Sequence, residues 1–129
     1  MKAQLSLEYL LLTVVILAVL FFAVANLSKL NNAATLTVDS YKFKSDAQNL
    51  FNKIDEVCIL GNGNRFSAPF SSKAQFIYPD SSSKNIIGFN FSGVYVERKF
   101  KCNVAFDSNP LYGEVKIENK DGVVELTNN

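Results

Sequence analysis

Histidine is absent from this 129-residue chain, and so is tryptophan. Without imidazole the usual general acid-base group and the commonest neutral metal ligand are missing. The two cysteines, Cys58 and Cys102, fall short of a tetrahedral zinc shell on their own. There is no G-x-S-x-G turn, no glycine loop followed by a phosphate-binding lysine and no cluster of carboxylates. An enzyme is therefore not expected, nor a cofactor or metal. Charge of one sign is lacking too: 13 basic and 12 acidic side chains leave a formal +1, so nothing argues for nucleic acid. Arg98-Lys99-Lys101 comes nearest to a basic patch, but strand alternation splits it between two faces. Asp107-Ser108-Asn109 offers oxygen ligands, yet without further acids it reads as a turn.

Glycine and proline are late as well as few. Gly61 and Pro69 are the first of each, so 60 consecutive residues lack either strong helix breaker, and one long helix is expected there. Within it an apolar run extends from Tyr9 to Ala25, interrupted only by Thr13. Leu5 to Leu27 covers 23 residues, or about 34 Å of helix against a hydrocarbon core of about 30 Å. Glu8 stands at the rim of this run. An ionisable group in a spanning segment costs roughly 2.5 to 3.5 kcal/mol at mid-bilayer and less near the ends, so a partner is expected. The plainer account is a carboxylate resting among headgroups at the positive helix start, worth roughly 0.3 to 1 kcal/mol.

Ahead of the run the chain reads Lys2-Ala3-Gln4-Leu5-Ser6-Leu7-Glu8. This stretch resembles the processing motif of archaeal type IV pilin-like proteins with class III signal peptides: a basic residue, a small residue, then Gln-x-Ser-x-Glu. Gln4, Ser6 and Glu8 match position by position, and Ala3 stands where the family often has Gly. The resemblance covers about the first 25 residues. It implies that a membrane-embedded prepilin peptidase cuts between Ala3 and Gln4 and leaves the helix in place. It further implies that Gln4 and Glu8 serve assembly, the new amine of one subunit meeting the carboxylate of the next. The expected organisation is then a leader at 1–3, a long helix at 4–60 that is membrane-stored to about residue 27, and a β-rich head at 61–129. The implied partners are identical subunits, the peptidase, the pilus assembly machinery and, before assembly, the cytoplasmic membrane. The implied product is an extracellular filament on the cell surface, used for adhesion.

Other readings compete. Lys2, the apolar run and Ala23-Val24-Ala25 also describe a secretory signal peptide cleaved before Asn26, leaving a soluble β-rich binding module. Against it stand Glu8, an acid where such peptides carry net positive charge, and the length of the run. An uncleaved membrane anchor is a third reading, and a minor pilin shares every feature of the filament subunit.

The remainder has its own pattern. Leu50, Phe51, Ile54, Val57 and Cys58 fall on one stripe of an amphipathic helix. Asn31-Asn32 and Thr35-Leu36-Thr37-Val38 are poorer helix formers, so a kink or frayed turn is expected somewhere in residues 31–40. Gly61-Asn62-Gly63-Asn64 should end the helix. Beyond it, short Phe, Val, Ile and Tyr runs between Ser, Asn, Asp and Gly read as antiparallel strands. Ala74 to Tyr78 and Asn85 to Phe91 are candidates, with Ile87, Phe89 and Phe91 on one face and Asn90 on the other. Val94 to Phe106 reads as a single long strand with Val94, Val96, Phe100, Cys102, Val104 and Phe106 inward, and Arg98 as an interruption marking a bend or an exposed edge. Ser92-Gly93 and Asp121-Gly122 are hairpin turns, the latter between Val115 to Glu118 and Val123 to Leu126.

Cys58 on the helix stripe and Cys102 on the inward strand parity are placed for a disulfide, the alternative being two free buried thiols. Asn26-Leu27-Ser28 and Asn90-Phe91-Ser92 are N-glycosylation sequons. Both features suit an exported domain. The fold class expected is α+β: a long hydrophobic helix packed on an antiparallel β-sheet head, in the lollipop manner of pilins.

Overall fold

The computed structural model describes residues 2–80 and 82–129, with side chains from Ser6 onward. The fold is α+β. A helix, α1 (Lys2–Leu60), is followed by β1 (Arg65–Ile77), β2 (Ile86–Phe91), β3 (Val94–Lys99), β4 (Asn103–Phe106), β5 (Leu111–Lys120) and β6 (Val123–Asn128). The chain divides into two units, Met1–Thr37 and Val38–Asn129.

The helix is unbroken through residues 31–40, contrary to the frayed turn expected there. The threonines that argued for a break supply part of the reason. Thr35 donates its hydroxyl to the Asn31 carbonyl at 3.0 Å and Thr37 to that of Ala33 at 2.9 Å, so their side chains bond back within the helix. At its other end Gly61 adopts φ 82° and donates its amide to the Val57 carbonyl at 3.1 Å, a left-handed cap that glycine enters without a Cβ clash.

The second unit owes its core to the expected stripe and to two residues earlier on it. Phe43, Ala47, Leu50, Phe51, Ile54 and Val57 are buried in one cluster with Phe70, Ile87, Phe89, Phe100, Val104 and the inward side of β5 and β6. Phe51 stacks on Phe89 at 5.5 Å, and Phe43 meets the ring of Phe70 edge-on at 6.2 Å. Burying each large side chain is worth roughly 1.5 to 3 kcal/mol. Part-exposed ion pairs add about 0 to 1 kcal/mol. Apolar packing therefore holds this part of α1 to the sheet, and polar ties fix its position.

The strand order is β3-β2-β1-β5-β6-β4, antiparallel throughout except for the β4–β6 pair. The single strand expected over Val94 to Phe106 is two strands, and they lie at opposite ends of that order. Only Phe100 to Cys102 separate them. Four peptide steps reach at most about 14 Å, whereas five flat strand spacings need about 24 Å. The sheet must curl, and β1 is where it does. Its residues Arg65 to Phe70 pair with β5, Gln75 to Ile77 pair with β2, and the register shifts between Phe70 and Ala74. β4 then meets the far end of β1 and the link before β2: Val104 donates its amide to the Lys84 carbonyl at 2.9 Å, Tyr78 its hydroxyl to the Val104 carbonyl at 2.9 Å, and Phe76 stacks on Phe106. The inward parity proposed for Val94, Val96, Phe100, Cys102, Val104 and Phe106 holds even though the strand does not, since all six lie in or against the core. Arg98, which breaks the apolar alternation, lies on an edge strand, one of the two places expected, and its side chain is engaged there. It reaches α1, where its guanidinium pairs with Asp55 at 3.1 Å and donates to the Asn52 side-chain oxygen at 2.9 Å.

β1 is longer than expected because its alternating inward positions, Phe66, Ala68, Phe70, Ser72, Ala74 and Phe76, mix small residues with aromatic ones. Pro69 is tolerated in it: β2 pairs only with the far end of β1, so at Pro69 one side of the strand has no partner strand to miss an amide. Both hairpin turns are as expected, with positive φ at Ser92 and Gly93 and at Asp121 and Gly122.

Candidate functional site: the uncovered apolar helix

From Ser6 to Asp39 every side chain of α1 is exposed. The large apolar ones between Leu7 and Val24 range from 50% exposed at Ile16 to 74% at Phe21, on all sides of the helix. Among the described residues none covers them. Thr13, the one polar residue in the run, donates its hydroxyl to the Leu10 carbonyl at 2.8 Å, so its proton is used inside the helix. Such a surface suits lipid, where each backbone polar group must be satisfied within its own segment. The helix is long and apolar enough to cross a membrane by length and composition, which suggests an anchor or a signal.

Glu8 begins this surface. It is exposed, and among the described residues it has no hydrogen-bond or ion-pair partner. Ala3 and Gln4 belong to α1, but their side chains lie outside the described residues. Asn26 sits on α1 just past the apolar run and is exposed. Asn90 is half-buried in β2, flanked by Gln75 on β1 and Tyr95 on β3.

Cys58 and Cys102 are joined, with Cα atoms 5.7 Å apart, and the bond ties the last turn of α1 to the β3–β4 link. A disulfide of this kind fits an oxidising, extracellular setting. Sequence reasoning missed a second tie beside it. Asn119 is 2% exposed. Its side-chain amide donates to the Val57 carbonyl at 3.2 Å, and its side-chain oxygen accepts from Gly122 at 3.0 Å. Its backbone exchanges bonds with Gly63 and Asn64. One residue thus joins helix end, linker and hairpin. Asp46 is a smaller case, accepting from the Ser71 amide at 2.9 Å.

The surface of the second unit is shallow. A depression of about 380 Å³ is lined by Phe76, Tyr78, Phe106, Asp107, Ser108 and Asn109. Its aromatic rings pack on one another, and Asn109 accepts from the Phe76 amide at 3.2 Å. Asp107-Ser108-Asn109 is therefore engaged as a turn. Near the outer side of β5, Glu118 takes Arg65 at 2.7 Å and Lys116 at 3.3 Å. Burial raises the Glu118 carboxyl, but hydrogen bonds and charge from Lys116 and Arg65 outweigh it and hold the pKa below the usual glutamate value. Lys99 and Lys101, the rest of the basic run, are solvated.

Comparison with protein-family models, with curated proteins and with solved structures returned no match. The geometry therefore defines the class: an α+β protein with an N-terminal apolar helix that is exposed among the described residues and a disulfide-tied unit with a core of its own.

Proposed function

We propose that this chain is a structural subunit of an extracellular type IV pilus-like filament. The observation that carries the reading is the apolar helix exposed on every side and opened by an unpartnered Glu8. Lipid covers that surface before assembly, and equivalent helices of neighbouring subunits cover it afterwards. The Lys2-to-Glu8 motif supports cleavage between Ala3 and Gln4, which removes Lys2 and leaves an α-amine four residues before Glu8. Docking with one helix slid by about four residues, about 6 Å, then brings amine and acid together. Lipid provides little hydrophobic drive between helices, so assembly depends on packing, on these charges and on an extraction machinery. A heterologous contact that does not close yields a helical polymer. The role is mechanical rather than catalytic, with adhesion as its use and no nucleic-acid partner.

The mass of the mature protein tests this directly. A start at Gln4 supports the filament subunit. A start at Asn26 would make the chain a secreted module, and a start at Met1 a plain anchor. Glu8→Ala should leave processing and insertion intact while abolishing filaments, as read by electron microscopy of cell-surface fractions. Normal filaments from that variant would remove Glu8 from assembly.

A further inference from the structure

The unit Met1–Thr37 contains one carboxylate, Glu8, and after Lys2 one cation, Lys29. Both are exposed, and among the described residues neither has a hydrogen-bond or ion-pair partner. They bracket the apolar run, 21 residues apart. We propose that Glu8 of one copy pairs with Lys29 of a second copy, the two helices being parallel and staggered by those 21 residues. The pairing rests on the filament reading and adds to it a partner and a register.

Orientation comes first. Copies inserted in one membrane share a direction, so their helices are parallel. In register, parallel helices set Glu8 beside Glu8 and Lys29 beside Lys29, like against like. Antiparallel helices would pair both charges in a closed dimer, but a shared membrane forbids them. A slide of 21 residues, about 31 Å, is what brings opposite charges to one height. The two residues lie about 60° apart around the axis, so they flank one side of the helix and each reaches toward a different neighbour. Because the donor and acceptor surfaces differ, the contact repeats without closing.

Apolar residues just past the run are available at that height. Leu27 and Leu30 lie past the apolar run yet are 65% and 66% exposed. The stagger sets Leu30 of one copy beside Tyr9 of the next, and Ala33 and Ala34 beside Leu12 and Thr13. Leu27 falls beside Ser6. Small residues thus face larger ones, which favours close helix approach. The Glu8 carboxylate has two oxygens, so it can accept from an α-amine and from Lys29 together. Lys29 is the contact that fixes the height.

The test is charge reversal in the full chain, reading filament yield by electron microscopy and processing by mature mass. Lys29→Glu and Glu8→Lys should each lower filament yield about thirtyfold or more, the scale for leaving a buried charge without its partner. Lys29→Arg keeps the cation and leaves the Glu8 contact with the α-amine untouched, so its filaments should stay within about tenfold of the unaltered chain. Normal filaments from Lys29→Glu overturn the pairing, as does a loss of filaments in Lys29→Arg as deep as that in Lys29→Glu. If Glu8→Lys blocks processing, co-expressed Glu8→Cys and Lys29→Cys subunits decide: an oxidised dimer joined through those positions supports the pairing, and its absence overturns it. An unaltered chain that forms no filaments sinks the filament reading and this pairing with it. Filaments from the unaltered chain with Lys29→Glu indifferent sink the pairing alone.

Discussion

Two stretches of the same helix have opposite relations to the rest of the chain. From Ser6 to Asp39 every side chain is exposed, while from Phe43 to Val57 one face is buried to 3% exposure or less. The local rule is shared, since both are helical without a glycine or proline. What differs is the distribution of apolar residues: an all-round run from Tyr9 to Ala25, broken only by Thr13, in the first, and one stripe in the second. A stripe can be covered by a single sheet. A surface that is apolar all round needs surroundings on every side, and those must come from lipid or from other copies.

The largest expected contrast lies in truncating an apolar side chain on either side of the divide. Phe89→Ala should destabilise the second unit by about 3 to 5 kcal/mol, because it removes a fully buried ring. Leu17→Ala should leave the same unfolding transition unchanged. Chemical denaturation in detergent checks both, and a shifted midpoint for Leu17→Ala would blur the boundary between the units. Replacing Cys58 and Cys102 by Ala comes next, at roughly 3 to 4 kcal/mol for a crosslink closing 44 positions. Retention of full stability under reducing conditions would contradict it.

Asn119→Ala should cost about 1 to 3 kcal/mol, since the Gly122 amide loses its acceptor and the Val57 carbonyl keeps only the Gly61 amide. Hydrogen exchange at the last turn of α1 should rise in that variant more than exchange in β2. The smallest effect is acid sensitivity. The Glu118 carboxyl is held below its ordinary value, so its contribution is present above the unfolded pKa and fades as pH falls through the folded one. Glu118→Gln should therefore lower stability at neutral pH, where the pairing is present, and change little in acid, so the acid limb flattens. A pH series of melting temperatures reads this, and an unchanged acid limb would remove Glu118 from the account.

The helix, its apolar run and its buried stripe were legible because each is a pattern along one element. Both hairpin turns were legible because Ser92-Gly93 and Asp121-Gly122 suit positive φ. The break after Lys99 was not. Alternation reports which face a side chain takes, and that parity runs on from Val94 to Phe106, whereas hydrogen-bond partners change from β2 to β6. Much of β1 was hidden by its small inward residues and by Pro69, whose tolerance depends on where β2 stops pairing. Asn119, between a candidate strand and the Asp121-Gly122 turn, carried no signal of its own, and only the fold brings Val57 to it. Arg98 looked like an interruption because its partners, Asp55 and Asn52, are more than 40 positions away along the chain. Of the site itself, Glu8 was legible as an acid at the rim of an apolar run, and among the described residues no partner reaches it.

The Cys58–Cys102 bond also decides how the molecule transmits tension. A pull entering along α1 and leaving by way of β4 or the strands after it has a covalent shortcut at Cys58. The stretch carrying β1, β2 and β3 hangs from that shortcut as a closed ring and is spared the strain. However hard such a tether is drawn, half of the sheet stays outside the line of force for as long as the sulfurs remain oxidised.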